Sequence, residues 1–99
     1  DNPIMVLTGD ADETTNLSRV NGIVEDLDAN LTQYGVFANV GHYHFSPIGC
    51  ELYGCVNNTD VEIVKNLTCE SALAFFAQLL EWPDAEALTL PESEFLTWQ

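Results

Sequence analysis

With 99 residues the chain has room for one core and not for two, so Asp1 to Gln99 is read as a single domain. Its 46% hydrophobic content, with two Trp, three Tyr and five Phe, excludes a disordered segment and fits a packed globule. Sixteen acids against Arg19 and Lys65 alone give a net charge of −14, which excludes nucleic acid and anionic membranes as partners, since both are held through Lys and Arg.

That charge favours cationic ligands or basic surfaces, and three origins fit it: a cation site, a DNA-mimic inhibitor, or adaptation to high salt. From the start of the chain, Pro3-Ile4-Met5-Val6-Leu7-Thr8 is an almost wholly apolar run closed by Gly9-Asp10. It predicts a central strand buried on both faces. The acidic segment from Asp10 to Thr15 reads as the approach to a helix, where carboxylates meet the positive end of the dipole. Leu17, Val20, Val24, Leu27 and Leu31 then recur at helical spacing and predict a helix of about five turns with one apolar stripe. Glu25, Asp26 and Asp28 flank the stripe as its solvated side. Gly22 costs about 1 kcal/mol against Ala inside a helix, which predicts a close neighbour there. Gly35 ends the element.

Val36 to Phe45 alternates as a strand, with Phe37, Tyr43 and Phe45 on one face and Val36, Val40, His42 and His44 on the other. His42 and His44 would then project the same way, about 7 Å apart, as a metal pair does. A third ligand is not evident, so they are read as partly exposed strand histidines and no metal is expected. Gly49 to Cys69 reads as a strand, a polar turn and a second strand running into a helix cap. Within it, Val61 and Ile63 share one face of a strand and Glu62 takes the other. A lone carboxylate placed so is ordinarily just the solvated face.

Thr68 is the expected N-cap of the next helix, with Glu70 in its first turn. Ala72, Phe76, Leu79 and Leu80 face the core, with Leu73 beside them, and Pro83 ends the helix. Ala85 to Leu90 makes a last strand closed by Pro91. The tail keeps Phe95, Leu96 and Trp98, which predicts docking on this subunit or another.

Cys50, Cys55 and Cys69 are odd in number and lack CxxC spacing, so they read as buried free thiols in a reducing cytoplasm. Four Asn-x-Ser/Thr sequons, at Asn16, Asn30, Asn57 and Asn66, keep a secreted glycoprotein as an alternative. No apolar run approaches the length of a membrane span, and no signal peptide remains, although one can be removed. The element order is β-α-β-β-α-β. Two helices on one face of a four-stranded antiparallel sheet is the ferredoxin-like α+β solution, with the other sheet face left for oligomerisation to cover.

Two stretches carry a resemblance. One is Asn16-Leu17-Ser18-Arg19 followed by Ile23-Val24 and Leu27, after an apolar strand ending in a small polar turn. The other is Gly49-Cys50, the span to Cys69 with the acidic Glu62, and Ala72-Leu73 opening the second helix. In their order and spacing, from Ile4 to Leu90, the chain resembles the phage-encoded S-adenosylmethionine-cleaving enzymes of short-tailed coliphages. That family has a pair of acids where this chain has Val61-Glu62, and its strands and first helix are more basic.

The resemblance implies an S-adenosylmethionine lyase that yields methylthioadenosine and homoserine lactone, an anti-restriction device that removes the methyl donor. It implies a homotrimer with substrate bound between subunits in the cytoplasm of an infected host, and no cofactor. Glu62 is the implied catalytic acid and the holder of the cationic arm, with Tyr53, Thr8 and Gly9 as further substrate-binding residues. The chemistry asks little of a protein. The substrate carboxylate attacks Cγ beside the sulfonium, a lactone closes and methylthioadenosine departs. Anion and cation neutralise one another, which a dry site favours, and holding the arm folded is worth up to about 7–11 kcal/mol in ideal cases. Two alternatives remain open: a hydrolase in which Glu62 activates water, and an acidic DNA mimic that binds a basic protein surface.

Overall fold

The computed structural model describes residues 2–46, 48–55 and 58–99. Pro47 and the sequon residue Asn57 lie outside them. The apolar run near the start forms β1, Ile4–Gly9. Asn16 then caps α1, Leu17–Glu25, its side-chain oxygen accepting from the Arg19 N–H at 3.0 Å. The helix stops well short of Leu31. Glu25, Asp26 and Asp28 stand at its C-terminal end, where the dipole disfavours negative charge, and no basic residue offsets them in the last turn. Asp28 instead builds a turn, accepting from the Asn30 N–H at 2.9 Å. A Cβ added at Gly22 would meet nothing within 4 Å outside its own helix turn among the described residues, so the expected close packing is not seen there.

β2, Thr32–Phe37, begins earlier than expected and carries Gly35 in its interior rather than at a helix end. It pairs parallel with β1, Ile4 opposite Thr32 and Gly9 opposite Phe37. The tail supplies β3, Leu96–Trp98, antiparallel to β2 with Leu96 opposite Phe37. The expected docking of the tail is therefore met on this subunit. Among the described residues the sheet has three strands in the order β1-β2-β3, so β1 is an edge and not a centre. The four-stranded antiparallel sheet of the ferredoxin-like expectation is not seen; the fold is a small α+β one with a mixed sheet.

The second half of the chain is more helical than its alternation implied. His42–Phe45 is a 3₁₀ turn, Gly49–Tyr53 a short helix α2, and Val61–Leu79 the long helix α3. Asp60 caps α3 by accepting from the Glu62 N–H at 2.8 Å. Glu62 therefore sits in the first turn of a helix, exposed, and not on a strand. Thr68 lies inside α3 and returns its hydroxyl to the Val64 carbonyl at 2.7 Å. Residues Ala85–Ala87 form a 3₁₀ turn where a last strand was expected. The Gln78 amide holds that turn by donating to the Ala85 carbonyl at 2.8 Å. No helix among the described residues is long and apolar enough to cross a membrane.

The core lies between the sheet and α3. Phe37, Val40, Val64, Leu67 and Leu96 are buried together, with Leu7, Ile63, Phe95 and Trp98 packed against them. Gly9 is buried where β1 passes under the loop after β2, and a Cβ there would collide with the Val40 carbonyl and lie 2.9 Å from the Val40 Cβ. Backbone contact of that kind cannot relax by rotating a side chain. Gly9→Ala is therefore expected to cost about 1–3 kcal/mol, read as a lower urea midpoint at unchanged slope. An unchanged midpoint would show that the loop yields.

Candidate active site at the carboxyl ends of β1 and β2

Two parallel strands bring the loops at their carboxyl ends together, the usual place for a ligand on such a sheet. The Asp10 N–H donates to the Phe37 carbonyl at 3.0 Å, and the Ala11 N–H donates to that of Val40 at 3.1 Å. From the other loop the Asn39 N–H donates to the Asp10 carboxylate at 2.7 Å. This stitching fixes Asp12. Its Oδ1 accepts from the N–H groups of Thr14 and Thr15 at 2.8 and 2.7 Å, and its Oδ2 lies 3.1 Å from Nδ1 of His42.

Asp12 is buried, with 6% of its side chain exposed, whereas 46% of the His42 side chain is exposed. Burial pushes the Asp12 carboxyl upward, but the Thr15 N–H, the His42 ring and the Thr14 N–H together outweigh it, and the net shift is downward. The group is thus an acceptor-only carboxylate at neutral pH. His42 must donate to it from Nδ1, which in the neutral ring leaves the lone pair on Nε2. Because the folded state prefers the charged form, the stabilisation it brings is complete above the ordinary aspartate value of about 3.9. It is lost as pH falls through the lower folded value. Urea midpoints measured from neutral to acid pH should therefore fall further for the native chain than for Asp12→Asn. Parallel curves would remove Asp12 from the linkage.

The histidines diverge. His44 is buried, its Nε2 donating to the Thr59 carbonyl at 2.9 Å while its Nδ1 accepts from the Gly41 N–H at 3.1 Å. A 3₁₀ turn rotates successive side chains by roughly a third of a circle, so i and i+2 no longer share a face as they would on a strand. His44, Cys50 and Cys55 bring their ligand atoms within 4.8 Å of one another. The two sulfurs, however, are joined: Cys50–Cys55 is a disulfide, and the trio has no thiolate to offer a metal. The expectation of three buried free thiols is corrected on both counts, since Cys69, the remaining free thiol, is exposed.

Beside the Asp12–His42 pair runs a groove of about 770 Å³. Leu7, Val20, Ile23, Ile48 and Leu52 contribute its apolar lining, and Thr8, Asp12, Thr15 and His42 its polar lining. Tyr43 and Tyr53 also line it, their rings stacked 4.2 Å apart at 20°. α2 holds Tyr53 there. Gly49, its first residue, packs on Tyr43 so closely that a Cβ would lie 2.9 Å from the Tyr43 Cβ, and the disulfide ties Cys50 of α2 to Cys55 just beyond it.

No protein family, curated protein or solved structure matches this chain. The site therefore rests on its own geometry. Of the four residues expected to hold substrate, Thr8 and Tyr53 line this groove. Gly9, next to Thr8, is buried against Val40. Glu62 lines a second groove of about 430 Å³ with His44, Lys65 and Cys69, so it does not join Thr8 and Tyr53. Sequence reasoning missed Asp12, which it read as part of a helix approach. The available signal was the spacing Asp12-x-Thr14-Thr15, in which an aspartate accepts from N–H groups two and three residues on. His42 was singled out, but paired with the wrong partner.

Proposed function

We propose that this groove is a hydrolytic active site in which His42, held by Asp12, moves the proton. The observation that carries the reading is the buried, ionised Asp12 at 3.1 Å from the half-exposed His42, both lining a groove with an apolar wall. Nε2 of His42 takes a proton from a water as the water adds to a carbonyl carbon, then returns it to the departing oxygen. Asp12 keeps the ring in the tautomer that accepts at Nε2 and balances the imidazolium formed in between. The wall and the Tyr43–Tyr53 stack select a substrate with a flat, apolar portion. With a net charge of −14 the protein takes a neutral or cationic substrate over an anionic one. Hydrolysis of a neutral nitrophenyl ester, followed by release of the phenolate, tests this directly. A rate no greater than that of free imidazole at equal concentration would defeat it.

A second reading, cleavage of S-adenosylmethionine, draws on the presence of Thr8 and Tyr53 in the same groove. The adenine would stack on Tyr53, and the ionised Asp12 would stand in for Glu62 beside the cationic arm. The homotrimer expected with it has exposed Leu73, Phe76 and Leu79 on α3 to draw on. The disulfide speaks for an oxidising setting rather than the cytoplasm of a host. Chromatography of protein incubated with S-adenosylmethionine separates the two readings, since only the second forms methylthioadenosine.

A further inference from the structure

The four sequons exceed what random placement of the asparagines, serines and threonines would give, and neither reading of the groove uses them. Asn57 lies outside the described residues. Asn16, Asn30 and Asn66 are all exposed, and none of them lines the groove. Each is compatible with a substituent on its side-chain nitrogen. Asn16 caps α1 through its oxygen, which an N-linked group leaves in place. Asn30 sits in the turn between α1 and β2, tied through its backbone N–H. Asn66 faces outward on α3, while Val64 and Leu67 turn into the core.

The second, independent observation is the Cys50–Cys55 disulfide. Such a bond persists in the oxidising compartments of secreted and surface proteins, where sequons also meet their modifying enzyme. We infer that the chain is N-glycosylated at Asn16, Asn30 and Asn66. The donor is a lipid pyrophosphate-linked oligosaccharide. Nδ2 attacks its anomeric carbon, a C–N bond forms, the C–O bond to the pyrophosphate breaks with its electron pair, and the Nδ2 proton passes to a base of the transferase.

Addition precedes folding. The sequon is read through its Ser or Thr two residues on, and in the folded chain the Thr32 hydroxyl donates to the Asp28 carbonyl at 2.8 Å and that of Thr68 to the Val64 carbonyl at 2.7 Å. Both are free only before α3 and the turn at Asp28 form.

The test is peptide mass spectrometry on protein from its native source, after enzymatic glycan release in oxygen-18 water. Release converts a glycosylated Asn to a labelled Asp. Label at all three positions in a chain carrying the Cys50–Cys55 bond is the expected result. Unlabelled asparagine at any one of them removes that site, and at all three overturns the inference, as does a chain whose Cys50 and Cys55 are reduced. Expression through a secretory host supplies the control, in which Ser18→Ala, Asn30→Gln and Asn66→Gln each lower the mass by one glycan. Ser18→Ala is used for the first site because it keeps the Asn16 cap. An unchanged mass in any of these variants likewise removes that site.

Discussion

His42→Asn lowers ester hydrolysis by about 10²–10⁴-fold, the usual contribution of a positioned acid–base group, and leaves the urea midpoint close to that of the native chain. Asparagine keeps a polar N–H near the Asp12 carboxylate, so the buried charge retains a partner, but it has no lone pair corresponding to Nε2. The loss falls on kcat, because the apolar wall of the groove is untouched. Free imidazole added to the variant restores part of the rate, since the position of the ring is half-exposed and open to a small molecule. A variant that turns over at the native rate would remove His42 from the reaction.

Phe37→Ala is expected to cost about 3–5 kcal/mol, as truncation of a fully buried aromatic does. Phe37 is 0% exposed at the carboxyl end of β2, packs with Val64 and Leu67 of α3, and meets the ring of Phe45 at 5.9 Å. Phe45 closes the 3₁₀ turn that begins at His42. The cavity therefore loosens both the sheet–helix contact and the support of the His42 ring. Denaturant unfolding reads the first effect. A larger loss of turnover than of folded protein, at a temperature where the variant remains folded, reads the second. A midpoint within 1 kcal/mol of native, the scale of one lost core methylene, would show that the site collapses to fill the space.

Much of the first third of the molecule was legible in the sequence. The apolar run from Ile4 to Thr8 is a strand, a helix does begin at Leu17, and the tail aromatics do pack on the body. The long helix α3 was misread at Asp60-Val61-Glu62-Ile63, because four residues of alternation satisfy a strand and the start of a helix equally well. The longer pattern of Val64, Leu67, Ser71, Ala74 and Ala77, with Asp60 ahead of it, is helical and was broken by placing the cap at Thr68. The site was harder. Asp12 and His42 are 30 residues apart and meet only because β1 and β2 pair in parallel. Nothing local to either residue announces that pairing. The Cys50–Cys55 bond likewise depends on α2, a helix of five residues too short to carry a periodic signal.

The placement of β3 also sets an order of events. Pairing Leu96 with Phe37 closes a loop about twice as long as pairing Ile4 with Thr32, at an added entropic cost of about 0.6 kcal/mol. It returns only three residue pairs against six. The tail strand is accordingly the last segment to dock during folding and the first to peel away, a sub-global opening that leaves β1, β2 and α1 in place. Trp98, held by its indole N–H on the Pro91 carbonyl at 3.1 Å, reports that opening through its fluorescence once the second tryptophan is removed as Trp82→Phe. In stopped-flow refolding its signal trails the far-ultraviolet signal of the helices, and amides of Leu96–Trp98 exchange with deuterium ahead of those in β2.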